Sequence, residues 1–256
     1  YVAYVERGNF VNFTARTVDA LQGFIYRKDP SVRVPASYQP RLENIDSRGT
    51  EFLTFCKRLT HNVISYGRAG ILVDYTNSAG RPRDNPLLSR PHLTLYDAAS
   101  IINWRTRVVL GQTQTDQVIV RDAYAEPAEF GSRMRPMYLV YELDDEGFYR
   151  VRTYKQRSGG EFYLDSTIYP GDTFGPSGEV VGTHGRLREV PFIFAGPSHL
   201  RPDVERSPIL DLVNVNVSHF CSSAELENAL FIVSQPTVVI SGLAEDDRRD
   251  WQVGRR

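Results

Sequence analysis

The sequence predicts an α+β fold. Three observations predict it. Apolar residues recur at three- and four-residue steps in two segments before Gly67. Tyr- and Val-rich alternating stretches fill residues 93–195. One long helical pattern follows Ser207-Pro208. The chain has 256 residues, 41% hydrophobic and 24% charged, enough for a substantial core in one large or two small domains.

Residues 11–27 read as a helix. Val11, Ala15, Val18, Leu21 and Ile25 share its apolar face, with Arg16 and Asp19 in solvent. Lys28-Asp29-Pro30 stops it, because the residue before a proline avoids the helical region. Residues 30–48 carry three prolines and read as a loop. Residues 50–66 form a second amphipathic helix, burying Phe52, Phe55, Cys56, Leu59, Val63 and Ile64, with Gly67 as its C-cap. Ala69 to Tyr75 is a short apolar run with the pattern of a buried strand, and residues 76–92 are a Pro-, Asn-, Gly- and Arg-rich loop.

The region from 93 to 195 is mainly β. Leu93–Tyr96 and Ile101–Val109 are strands, and Val118 begins a third. Met137–Leu143 and Phe148–Lys155 form a hairpin across Asp144-Asp145-Glu146-Gly147. Arg157-Ser158-Gly159-Gly160 turns the chain into Glu161–Ile168. Residues 170–186 hold five Gly and two Pro and read as a long loop; Val190–Phe194 closes the sheet region. Ser207 caps the long helix, which runs to about Phe231, roughly 36 Å at 1.5 Å per residue. Asp211 complements the positive end of its dipole. Gln235-Pro236 ends it. A strand at 237–240 and a short polar helix at 244–251 follow.

The long helix has two stripes. Ile209, Val213, Val217, Phe220, Cys221 and Ala224 form an apolar one, and Asp211, Asn214, Ser218, Ser222 and Glu225 a small, polar, mildly acidic one. No Lys or Arg lies between Arg206 and Arg248. One reading is a surface helix with a solvated outer face. The other is a helix packed sideways in an oligomer that shows its polar stripe to a channel. Such a stripe hydrates passing DNA without gripping phosphates. Composition does not choose between them.

Catalytic constellations are missing from the sequence. There is no Walker A loop and no Gly-x-Ser-x-Gly elbow. The five His are scattered, without zinc-ligand spacing. Gly159-Gly160-Glu161-Phe162 matches part of a cyclic-dinucleotide cyclase signature, but between two β runs it reads as a hairpin turn. Asp144, Asp145 and Glu146 read as a solvated turn rather than a cation site. No catalytic, cofactor or metal site is therefore expected. Cys56 and Cys221 read as buried thiols, and the Asn-x-Ser/Thr matches at Asn12 and Asn216 as chance. A net charge of −1 argues against a protein that grips DNA tightly. No apolar run is long enough to span a bilayer, and no signal-peptide pattern is present. The first residue is not Met and the last residues form no natural terminus, so a longer protein is expected.

Several segments carry a family resemblance. They are Thr14–Leu21, Phe24–Pro30, Glu43–Asp46, Tyr66–Tyr75, and Leu95-Tyr96 through Ile101–Arg105. Together they resemble a phage and prophage family usually described only as a domain of unknown function, which in turn resembles the portal proteins of tailed bacteriophages. The resemblance extends over nearly the whole chain. It implies a portal-like wing at 1–200, of helices packed on a mixed, mainly antiparallel sheet. It implies a stem-like helix at 201–235 and the start of a clip at 236–256, with Val190–Phe194 as the strand entering the stem. It also implies a homo-oligomeric ring, commonly a dodecamer, at one capsid vertex in the virion. Packaging terminase, head-tail adaptor and capsid proteins would be its partners, and double-stranded DNA would pass through with weak contact. On this reading Asp211, Asn214, Ser218, Ser222 and Glu225 face the channel, and Ile209, Val213, Val217, Phe220 and Ala224 face neighbouring subunits. The alternatives are another head-tail adaptor or minor capsid protein, a nucleotide- or nucleic-acid-processing enzyme, and a generic DNA-binding module.

Overall fold

Strand pairing divides the β-rich region into two principal antiparallel sheets. In the computed structural model, described residues are 5–6, 8–75, 91–128, 130–157, 159–174, 180–182 and 185–234. The first sheet has the order β10-β1-β2, from β1 (Ala69–Tyr75), β2 (Pro91–Asp97) and β10 (Phe192–Ala195). The second is a sequential meander of β3 (Ile101–Val109), β4 (Gln112–Ala128), β5 (Gly131–Leu143), β6 (Tyr149–Gln156) and β7 (Phe162–Ile168). Every pairing among the described strands is antiparallel, so the α+β expectation holds and the mixed sheet does not appear there.

The hairpin expected around Asp144 is present in register, from Met137↔Lys155 to Leu143↔Tyr149. Asp144 closes its turn: Oδ1 accepts the N–H groups of Glu146 at 3.0 Å and Phe148 at 2.8 Å. The Gly-Gly-Glu-Phe segment is likewise a turn. Gly160 has φ +90°, and the Arg157 N–H donates to the Glu161 carbonyl at 2.8 Å. Residues 170–186, expected as loop, contain two short strands, β8 (Thr173–Phe174) and β9 (Val180–Gly182), paired with each other. Val190–Phe194 joins the three-stranded sheet beside β1 and does not extend the meander.

One cluster of side chains joins the two sheets. Leu72, Tyr96, Phe192 and Phe194 come from the first sheet; Ile101, Val118, Val120, Tyr141, Leu143 and Tyr149 come from the second. Gly70 makes this packing possible, because a Cβ there would collide with the Phe192 ring. Tyr96 and Tyr141 satisfy their hydroxyls on each other at 2.8 Å. Burial drives the Tyr96 phenol up to about 12, since the phenolate would lose its hydration.

The described α-helices include α1 (Phe13–Ile25), the single turn α2 (Gln39–Leu42), α3 (Phe52–Tyr66) and α4 (Leu210–Ser234). In α3, Phe55 and Ile64 are buried, and Gly67 caps the end at φ +70° with its N–H on the Val63 carbonyl. Helix α1 departs from expectation. Only Val18 is buried, while Leu21, Phe24 and Ile25 stand in solvent. Of the expected face, Val11 is half-buried and Ala15, Leu21 and Ile25 are exposed, with Phe24 exposed beside them. Thr14–Asp211 forms one compact unit, and the described residues of Tyr1–Phe13 and Leu212–Arg256 form another. The strand expected at 237–240, the helix expected at 244–251 and the whole clip-like segment lie outside the described residues.

Candidate subunit-contact and channel helix

The start of α4 is fixed by Ser207. Its Oγ accepts the Ile209 N–H at 3.4 Å, and its carbonyl accepts the Leu210 N–H at 3.2 Å. The same hydroxyl donates toward the Ile64 and Ser65 carbonyls, each 3.1 Å away, so the cap also clamps the helix start to the end of α3. Gly67 permits the approach. A Cβ there would lie 2.8 Å from the Glu205 carbonyl oxygen and 2.9 Å from the Ser207 nitrogen.

Arg68 stabilises the connector that precedes the cap. Its guanidinium stacks 3.8 Å from the Trp104 ring centroid and 4.3 Å from that of Phe194, and Nη2 donates to the Pro202 carbonyl at 2.9 Å. Only 6% of the residue is exposed. Burial lowers its pKa, and the Asp203 carboxylate opposes that shift. Sequence reasoning missed Arg68, since one Arg beside a glycine carries no periodic signal.

Further along, α4 is packed against the chain's own start. The Phe13 N–H donates to Asn216 Oδ1 at 3.3 Å. Phe10 meets Phe220 edge-to-face at 5.6 Å, and Phe13 meets His219 at 5.8 Å. A Cβ at Gly8 would strike Phe220 and Ala224. Asn216, noted in the sequence only as a chance glycosylation match, is therefore a buried polar anchor.

The two stripes read from sequence have different fates. Asp211, Asn214, Ser218, Ser222 and Glu225 are all exposed, and Asp211 pairs with Arg206. On the apolar stripe, Ile209 and Ala224 are buried, Val213 and Phe220 half-buried, and Val217 exposed. Phe220 and Ala224 are taken up by Gly8 and Phe10. Cys221 is exposed, contrary to the expected burial, and Cys56 is half-buried.

The structure adds a second apolar stripe. Val215, Leu226, Leu230 and Val233 are exposed, Val233 by 82%. At 3.6 residues per turn this stripe lies roughly 80° to one side of the polar stripe's centre. Leu210, Val217 and Phe231 lie roughly 100° to the other side. Ile232, also exposed, ends the polar stripe with an apolar residue. A helix that is apolar on two flanks and polar between them suits neighbours on both sides and water in front. The spacing was present in the sequence, but the first apolar stripe masked it.

Glu142, 3% exposed, accepts from Gln117 Nε2 at 2.7 Å and from Arg150 Nε at 2.8 Å. Arg152 Nη2 adds a bond at 2.9 Å. Burial raises the carboxyl pKa, but these hydrogen bonds together bring it below the usual value. Among the described residues, no three His, Cys, Asp or Glu side chains gather as metal ligands. No described helix is long and apolar enough to cross a membrane.

Residues 208–256 match a domain of unknown function, DUF4055, a phage-associated family. The match begins just before α4 and covers the whole of that helix. No curated protein matches the chain.

Proposed function

We propose that this chain is a subunit of the portal ring of a tailed bacteriophage, a structural protein and not an enzyme. The observation that carries the reading is α4: an exposed polar stripe, free of Lys and Arg, between two exposed apolar flanks. A closed ring needs two unlike patches on each subunit, because head-to-tail contacts are heterologous. The two flanks supply unlike patches, and the stripe between them faces the axis. Hydroxyl, amide and carboxylate groups there keep DNA hydrated and sliding, with no cation to hold phosphate. The phage association of the matched domain supports the same reading.

In this role the ring is a dodecamer at the unique capsid vertex, assembled in the host cytoplasm. Terminase and head-tail adaptor proteins dock on it, and the capsid surrounds it. Packaging energy comes from the separate motor, consistent with a sequence that has no Walker A loop. Electron microscopy and mass photometry of the full-length gene product test the proposal. Rings with a central hole and about twelve subunits are expected from the portal resemblance and from closed cyclic symmetry. A helical filament or a small adaptor-sized ring would replace the portal reading with another head-tail component. Saturable heat on titration with Mg²⁺ and nucleotide would favour an enzyme.

A further inference from the structure

Strands β4 and β5 run past the rest of their sheet. β3 pairs with β4 no further than Val120, and β6 pairs with β5 only from Met137 onward. The six pairs from Ala123↔Pro136 to Ala128↔Gly131 therefore form a two-stranded arm with no third strand among the described residues. An isolated ribbon of this kind is marginal in water and gains stability when one face is covered.

The arm is two-faced. Tyr124, Glu126, Arg133 and Arg135 alternate onto one side, where Arg135 Nε donates to Glu126 at 2.7 Å. Ala123, Ala125, Pro127, Ser132, Met134 and Pro136 alternate onto the other. Those six residues carry no charge and Met134 is 63% exposed, while Arg121 stands on the same face where the arm leaves the sheet. Pro127 and Pro136 withdraw N–H donors from the arm's edges, which disfavours pairing with an added strand. Contact through the face of those six residues remains.

We propose that this face of the arm lies on helix α1 of a second copy of the chain, the next subunit in the assembly; the inference rests on the ring reading. Three observations select that occupant. The apolar face of α1 has the periodicity of a buried surface, yet Leu21, Phe24 and Ile25 are exposed, Phe24 by 75%. Those residues, at helical spacing, make a bulky uncharged ridge, whereas the arm offers a bed of small residues with a flexible Met. Apposing these residues desolvates no charge as long as Arg121, at the base of the same face, stays outside the contact. Size points the same way. Six pairs at about 3.4 Å, two strands wide, give on the order of 200 Å², well short of the roughly 800 Å² per partner of a stable pair. Such a contact does not hold a free dimer together. It fits a closed assembly in which each subunit has other contacts as well.

The test is a photocrosslink. Full-length protein carrying Met134→p-benzoylphenylalanine is irradiated both in the expressing cell and after purification. The adducts are mapped by mass spectrometry, and the same preparations are imaged by electron microscopy. A two-chain adduct attached at residues 21–25, lost at least about tenfold in Phe24→Asp with the fold intact by circular dichroism, is the expected result. No adduct, an adduct mapped elsewhere on the chain, or an adduct with a different protein overturns the proposal. Rings without the adduct would remove the arm contact and leave the ring reading standing. The adduct without rings would keep the contact and remove the ring reading.

Discussion

Arg68 and Glu142 both keep charge inside the protein, with different consequences. Arg68 lies over two aromatic rings with one hydrogen bond to Pro202 and no hydrogen-bond partner for Nε. Its value is therefore mainly packing and cation–π contact. Arg68→Ala is expected to cost about 2–4 kcal/mol by opening a cavity over Trp104 and Phe194. Arg68→Met, which keeps the volume and removes a poorly satisfied charge, is expected to cost less than half of that. Urea unfolding of both variants checks the ranking, and equal losses would contradict it. Glu142 sets a pH dependence. Its folded pKa is depressed, so its contribution is present above the unfolded carboxyl pKa and is lost as pH falls through the folded value. Glu142→Gln is expected to lose about 1–3 kcal/mol at pH 7. The gap to the parent protein should close on acidification below about pH 4. Unfolding curves at pH 7, 5 and 3.5 test that sign; a gap that widens toward acid contradicts it.

At the scale of elements, the junction of α3 and α4 is the most tightly specified feature. Ser207 caps the start of α4 while bonded to the last carbonyls of α3, and Gly67 leaves room for the connector at Glu205–Ser207. Ser207→Ala is expected to cost about 1 kcal/mol, as for other N-cap losses. Gly67→Ala is expected to cost more, about 1–3 kcal/mol, because the added methyl meets backbone at a left-handed φ where nothing flexible can yield. Thermal unfolding should rank the two in that order. A larger loss for Ser207→Ala would mean that the connector at Glu205–Ser207 relaxes around Gly67. Helix α1 shows the opposite condition, with one buried residue in a fully amphipathic pattern. A helix with one buried residue gains little of its stability from packing within the described chain.

For the whole molecule, assembly should follow the flanks of α4. Val217 and Leu226 are both exposed in the single chain, so a carboxylate at either leaves the folded subunit unharmed. In a ring the same carboxylate is buried without a counter-ion. Val217→Asp and Leu226→Asp are each expected to lower ring yield at least about tenfold at unchanged subunit Tm, an effect of about 1.4 kcal/mol or more per contact. Mass photometry beside calorimetry reads both quantities. Unchanged ring yield in both variants would remove the flanks from the interface. A loss in Val217→Asp alone would place the interface on the stripe already visible in the sequence.

The sequence by itself determined the α+β class, α3 with its Gly67 cap, the Asp144 hairpin, and the long helix opened by Ser207. Each depends on local rules: periodicity, turn residues and capping groups act within a few positions. The exposed polar stripe of α4 was legible for the same reason, since a helix's faces follow from spacing alone. Tertiary structure decided the rest. It assigned Val190–Phe194 to the sheet of β1, because antiparallel strands far apart in sequence leave no periodic trace of their partner. It extended β4 and β5 into an arm, because strand length beyond the sheet depends on the neighbour's reach. It buried Arg68, Glu142 and Asn216, whose partners come from other segments. Finally, it covered Phe220 and Ala224 with the chain's own start while leaving Val215, Leu226, Leu230 and Val233 exposed. Hydrophobic spacing marks a surface as suited to burial; only the packed fold determines whether the chain itself or another molecule covers it.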